Sequence, residues 1–120
     1  MDGYIKALKL CLDNIDIKDL YKLADKILAT KGTVYTMGNG GSASTASHFA
    51  RDISIGTPVK AICLNDSIPC ITSIANDEAY EEVFSTQLKG KTGPNDLAVA
   101  LSVSGMSKNV LQGIARAGSQ

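Results

Sequence analysis

The chain has 120 residues, 44% of them hydrophobic and 20% charged, with two Phe, four Tyr and no Trp. That is one ordinary globular domain with room for a modest core. Twelve basic and twelve acidic residues cancel, which leaves no basic footprint for a nucleic-acid partner. No apolar run approaches the roughly eighteen residues of a membrane span, and no signal peptide opens the chain, so no membrane association is expected. Cys11, Cys63 and Cys70 are too few and too scattered for a disulfide framework or a zinc knuckle. They suit small buried hydrophobes in a reducing cytoplasm.

Residues 3–13 place Tyr4, Ala7, Leu8, Cys11 and Leu12 at helical spacing. Asp16 stands where it can cap a second helix with an apolar stripe of Leu20, Leu23, Ala24, Ile27 and Leu28, and Gly32 is its expected C-cap. These N-terminal helices, within residues 1–31, have no strand of their own. They either cover one face of a sheet or supply a helical interface to another subunit, and both readings stand.

Residues 32–120 are expected to form the nucleus of a parallel sheet. A first strand over about 33–37 runs into Gly38-Asn39-Gly40-Gly41-Ser42 and then a helix over about 43–54, closed by Gly56. Lys60–Leu64 is the second strand. Helical segments follow around Pro69–Ala75 and from Asp77, as N-cap, to about Leu88. Gly90, Gly93 and Pro94 mark a loop, and Leu97–Leu101 is an apolar strand of the kind buried on both faces. After Ser102-Val103-Ser104-Gly105-Met106-Ser107 comes a last helix over about 108–117. Strands alternating with helices imply a doubly wound α/β fold with right-handed crossovers. No strand follows the last helix, so a fragment, or a protein without its usual C-terminal third, is expected.

Two loops carry the chemistry. The glycine loop joins a strand to a helix start, where free N–H groups and the positive dipole end favour an anion. In a flavodoxin-like order the first and third strands are neighbours, and their loops face one switch-point crevice. Ser42, Ser102, Ser104 and Ser107 would then converge with two helix N-termini on a compact phosphate monoester, with Gly40 and Gly41 allowing close backbone approach. The plainer reading is that serines and glycines are turn formers and caps.

Two nucleotide motifs compete with this. Gly38–Ala43 fits G-x-G-x-x-A, with Asp66 after the second strand as a ribose-binding acid. That fingerprint gives the serine loop no role. Gly90-Lys91-Thr92 has the ending of a P-loop, but it follows a helix and Ser85 stands where the upstream glycine is required. His48 and Asp52 share a helix face four residues apart. They make either an ordinary i,i+4 pair or a proton-moving or metal-ligating one. Arg51 beside them faces a ligand or solvent. Acidic residues from Asp77 to Glu82 complement a helix dipole, and Asp77 is also within reach of a sugar hydroxyl.

Gly38–Ala43, His48-Phe49-Ala50, Ala75-Asn76-Asp77 with Tyr80–Phe84, and Ser102–Leu111 together resemble the SIS (sugar isomerase) domain. Within it they are similar to the phosphoheptose isomerase branch, in register through nearly the whole chain. The resemblance implies an SIS-type three-layer α/β/α sandwich with a flavodoxin-like parallel sheet, lacking its C-terminal strands. It implies ketose–aldose interconversion of a sugar phosphate, such as sedoheptulose 7-phosphate to a heptose 7-phosphate. Ser42, Ser102, Ser104 and Ser107 would hold the phosphate, and Asn39 and Asp77 the sugar. Asp52 would be an acid/base, and His48 a catalytic or zinc-binding group, with Asp52 as a second possible zinc ligand. No nucleotide cofactor is implied. Assembly as a homodimer or homotetramer is implied, with the N-terminal helices taking part. Asp52 stands where the isomerases carry glutamate, and Met106 where asparagine is common. The family's second acid/base histidine and a metal-ligating glutamine lie beyond residue 120. The alternative is a non-catalytic sugar-phosphate-binding regulator or oligomeric scaffold of the same superfamily.

Overall fold

The computed structural model describes residues 1–119. Its elements run α1 (Asp2–Asp13), α2 (Ile17–Ala29), β1 (Thr33–Gly38), α3 (Gly41–Gly56) and β2 (Lys60–Cys63). Then come α4 (Ile68–Asp77), a 3₁₀ turn (Tyr80–Glu82), α5 (Ser85–Leu88), β3 (Leu97–Leu101) and α6 (Lys108–Gly118). The three strands are parallel in the order β2-β1-β3, the order expected of a flavodoxin-like sheet. Every residue of the central strand β1 is buried. Among the described residues no helix is long and apolar enough to cross a membrane.

Alternation along β1 divides the core into two layers. Val34 packs with Ile27, Ile53 and Val59 on the α3 side, where the Thr36 hydroxyl also donates to the Ala46 carbonyl at 2.8 Å. Tyr35 and Met37 pack with Val83, Phe84, Leu88 and Val110 on the other side. β3 follows the same rule. Leu97, Val99 and Leu101 pack toward α3, whereas the small Ala98 and Ala100 pack toward α6. Those alanines and Gly113 let α6 lie close to the sheet, since a Cβ at Gly113 would meet the Met37 sulfur at 2.6 Å.

Several sequence expectations need correcting. β3 is half-buried at all five positions, because it is an edge strand among the described residues. Asp77 ends α4 and does not cap a helix; the expected helix to Leu88 is a 3₁₀ turn followed by one helical turn. Gly32 does not cap α2, which ends on an extended Thr30. Glycine is needed there because a Cβ would lie 2.8 Å from the Asn95 carbonyl oxygen. Cys63 is buried and Cys70 partly so, but Cys11 is exposed.

Asp16 caps α2 as expected, accepting from the Lys18 N–H at 2.9 Å. The two N-terminal helices cover little of the sheet, Ile27 of α2 alone packing against Val34. α1 buries no residue and α2 buries only Ile27, leaving Tyr4, Leu8, Leu12, Leu20 and Tyr21 exposed.

Asp96 fastens the start of the sheet. Its carboxylate accepts the buried Thr33 N–H at 2.6 Å and the Gly93 N–H at 2.8 Å. Asp96→Ala leaves the Thr33 donor buried without a partner, a loss of about 1–3 kcal/mol. Urea unfolding should show a lower midpoint at unchanged slope; an unchanged midpoint contradicts this role.

Candidate functional site

β1 ends at Gly38, where a Cβ would lie 2.7 Å from the carbonyl carbon and oxygen of Ser42. No other residue allows the chain to double back this tightly into α3. The Asn65 side chain completes the strand end: Gly38 N–H donates to its Oδ1 at 3.1 Å, and its Nδ2 donates to the Gly38 carbonyl at 2.9 Å. Asn65 stands just past the second strand and is assigned no role from sequence alone. An asparagine just past a strand, whose amide can imitate a backbone unit, was the available signal.

Gly40 takes φ 53° and ψ −123°, a conformation open in practice only to glycine, and sits at the N-cap of α3 with no side-chain cap. The Asn39 carbonyl accepts the Ser42 and Ala43 N–H groups at 2.9 and 3.3 Å. Gly41, exposed with open space around it, begins the helix, and Ser42 is half-buried in its first turn. The end of this 16-residue helix thus faces the C-terminal edge of the sheet, with an N-terminal dipole suited to an anion.

The serine loop after β3 is folded by its own hydroxyls. Ser102 Oγ accepts the Gly105 N–H at 3.1 Å and lies 3.4 Å from Ser107 Oγ, and Ser104 Oγ accepts the Met106 N–H at 3.2 Å. Gly105 has φ 66°. Ser107 occupies the N-cap of α6 without a side-chain cap bond. Ser104 and Met106 are exposed, and Ser102 and Ser107 half-buried.

A reciprocal amide pair joins the glycine loop to the first turn of α6, just past the serine loop. Asn39 Nδ2 donates to Asn109 Oδ1 at 2.9 Å, and Asn109 Nδ2 donates to Asn39 Oδ1 at 2.8 Å. The buried Asn109 is oriented by the Val110 N–H, which donates to its Oδ1 at 3.0 Å. Tyr80 Oη donates to Asn39 Oδ1 at 3.0 Å, which brings the segment after Asp77 against the glycine loop. Lys108 holds Glu81 at 2.9 Å. The hydrogen bond that Lys108 donates to Glu81, and secondarily the charge of that carboxylate, raise the Lys108 pKa above the ordinary 10.5. Asp77 itself is exposed at the end of α4 and accepts from Asn76 Nδ2 at 2.8 Å. Neither Asn109 nor Tyr80 carries a local sequence signal for this contact, because their partners lie 70 and 41 residues away.

His48 and Asp52 form their expected pair, Nε2 to Oδ2 at 3.4 Å, and Arg51 holds the other carboxylate oxygen at 2.8 Å. Side-chain exposures of 74% and 51% for His48 and Asp52 make this a weak, solvent-screened contact. A rise of about 1.5 Å per residue puts Cα of His48 roughly 10 Å and Cα of Asp52 roughly 16 Å along α3 from Gly41. Two open depressions run along that outer face. One of about 830 Å³ is lined by Ala43, Ser44, Ser47, His48, Arg51, Asn65 and Asp66. The other, about 430 Å³, is lined by Ser44, Thr45, His48, Phe49 and Asp52. Ser102, Ser104 and Ser107 line neither. Among the described residues no group of three or more His, Cys, Asp and Glu is placed to hold a metal. His48 and Asp52 offer two ligands where zinc takes at least three from protein, so this donor set does not fit the ion unaided.

The SIS domain family model matches residues 4–120. A probable phosphoheptose isomerase of Thermoplasma acidophilum is 38% identical over 109 residues, 84% of this chain and 60% of that protein. A phosphoheptose isomerase of Helicobacter pylori is 38% identical over 119 residues, 93% of this chain and 62% of that one. The structure of phosphoheptose isomerase GmhA from Neisseria gonorrhoeae superimposes with a TM-score of 0.88 at 28% identity, covering 98% of this chain and 66% of that one. The chain therefore spans about 60% of the length of the curated relatives it matches.

Adjacent glycines 40 and 41 separate conformation from space. Gly40→Ala forces an alanine into a glycine-only conformation and should cost about 1–3 kcal/mol. Gly41→Ala, in open helical surroundings, should be neutral or stabilising by up to about 1 kcal/mol. Thermal or urea unfolding of the two variants checks the ordering, and equal stabilities contradict the loop geometry.

Proposed function

We propose that this chain, which belongs to the SIS domain family, binds a sugar phosphate between its two loops and contributes to a ketose–aldose isomerase of the phosphoheptose type. The observation that supports the reading is the Asn39–Asn109 pair, which ties the glycine loop to the first turn of α6, the helix into which the serine loop runs. Ser42, Ser102, Ser104 and Ser107, with the N-terminal ends of α3 and α6, receive the phosphate. Asn39 and Asp77 contact the sugar. The relatives' names point to a heptose phosphate, for instance sedoheptulose 7-phosphate.

Isomerisation removes a proton from the hydroxyl-bearing carbon beside the ketose carbonyl and leaves an enediol. A proton returned to the neighbouring carbon, with one moved between the two oxygens, completes the aldose. Asp52 is our candidate for one of these transfers, with His48 beside it. The reacting carbons lie at the far end of the sugar from its phosphate, which suits groups set along α3 and away from its N-terminus. The partner acid/base comes from outside these residues or from another copy of the chain. Asp52 is one methylene shorter than the family's glutamate and is held by Arg51. A misplacement of about 1 Å can cost a hundredfold in rate. That observation favours the second reading, a non-catalytic sugar-phosphate binder or scaffold. Zinc at His48 requires further ligands from elsewhere. The exposed apolar faces of α1 and α2 are assigned to a homodimer or homotetramer contact, and the free thiols to a cytoplasmic setting.

Thermal unfolding tests binding. Sedoheptulose 7-phosphate at about a hundred times its Kd should raise Tm by roughly 10 °C for a chain of this size. NAD should not, and Ser104→Ala should remove most of the shift. No shift with the sugar phosphate ends the reading. A turnover assay with and without added zinc separates the two alternatives: binding without turnover leaves the scaffold.

A further inference from the structure

We infer that Tyr80 is a positioning residue of this site: its hydroxyl, acting with Asn109, fixes the Asn39 amide so that this side chain offers a ligand only an N–H donor. The inference rests on the sugar-phosphate reading above and extends it to a residue that reading does not use. The hydrogen bonds determine the orientation. Val110 N–H donates to Asn109 Oδ1, so Asn109 must present its Nδ2 to Asn39 Oδ1 and receive Asn39 Nδ2 in return. Tyr80 Oη donates to the same Asn39 Oδ1, which fills both of its acceptor positions. One Nδ2 hydrogen of Asn39 is used by Asn109. The other, on the far side of the planar amide, points away from the pair and suits a hydroxyl or carbonyl oxygen of a polyol chain.

The turn that carries Tyr80 is itself tied to α6. Glu81 pairs with Lys108, the first residue of that helix. Gln112, with its amide oriented to satisfy both ends, donates to the Glu81 carbonyl at 2.9 Å and to Glu82 Oε1 at 2.7 Å. Ser85 adds a hydrogen bond to the Glu82 carboxylate. The Tyr80 hydroxyl is therefore delivered by a braced segment, although the residue is largely exposed.

Tyr80→Phe keeps the ring and removes only the hydroxyl. By calorimetric titration of the full chain, it should weaken sedoheptulose 7-phosphate by about five- to tenfold, the scale of one hydrogen bond. Inorganic phosphate, which does not reach the sugar subsite, should bind within about twofold of the unaltered chain, and Tm should stay within about 2 °C. In an Asn39→Ser background the same change should add nothing, because Tyr80 acts through Asn39. Equal weakening of both ligands, no weakening of either, or full additivity with Asn39→Ser overturns the inference and leaves the sugar-phosphate reading standing. If the unaltered chain binds neither ligand, both fall together.

Discussion

At Gly38 the backbone of β1 passes so close to α3 that an added Cβ would lie 2.7 Å from the Ser42 carbonyl group, and the candidate site follows from that approach. The tight return starts α3 at Gly41, directly above the buried strand, and directs its N-terminus at the sheet's C-terminal edge. Asn65 holds the strand end by both backbone groups of Gly38. Parallel pairing of β1 with β3 then puts the serine loop on the same edge, and Asn39 meets Asn109 across the gap. A glycine, two strand registers and an amide pair are enough to bring together two loops more than 60 residues apart in sequence.

Much of this was legible in the sequence, for physical reasons that can be named. Strand-to-helix alternation forced a parallel sheet, and two glycine- or serine-rich turns after the first and third strands marked its working edge. The capping role of Asp16 and the i,i+4 pairing of His48 with Asp52 are local, so spacing alone revealed them. The rest depends on long-range contacts. Asn109 and Tyr80 look like ordinary helix and turn residues until the fold places them against Asn39. Asp77 resembled an N-cap because acidic residues follow it. The segment instead breaks into a 3₁₀ turn, held by Lys108 at Glu81, that packs against α6. The half-exposure of β3 depends on which strands flank it, a property that no periodicity encodes.

The distribution of exposed apolar surface separates the body from its N-terminal arm. Around β1 the layers interdigitate closely, down to Gly113 against Met37. α1 and α2 instead carry leucines and tyrosines on surfaces that touch little of the sheet. Such a stripe is stable in water when something covers it, and a second copy of the chain is the occupant proposed for it. On the proposed reading, phosphate binding draws on the two loops of one chain, whereas turnover draws on more groups than these loops and α3 supply.

The central claim is that the glycine and serine loops form one clamp. Titration of sedoheptulose 7-phosphate followed by backbone amide resonances tests it most directly. The account predicts that Gly40, Gly41 and Ser42 shift together with Ser104, Met106 and Ser107, along curves that share a single Kd. Shifts confined to one loop, or two loops titrating with different constants, would contradict it.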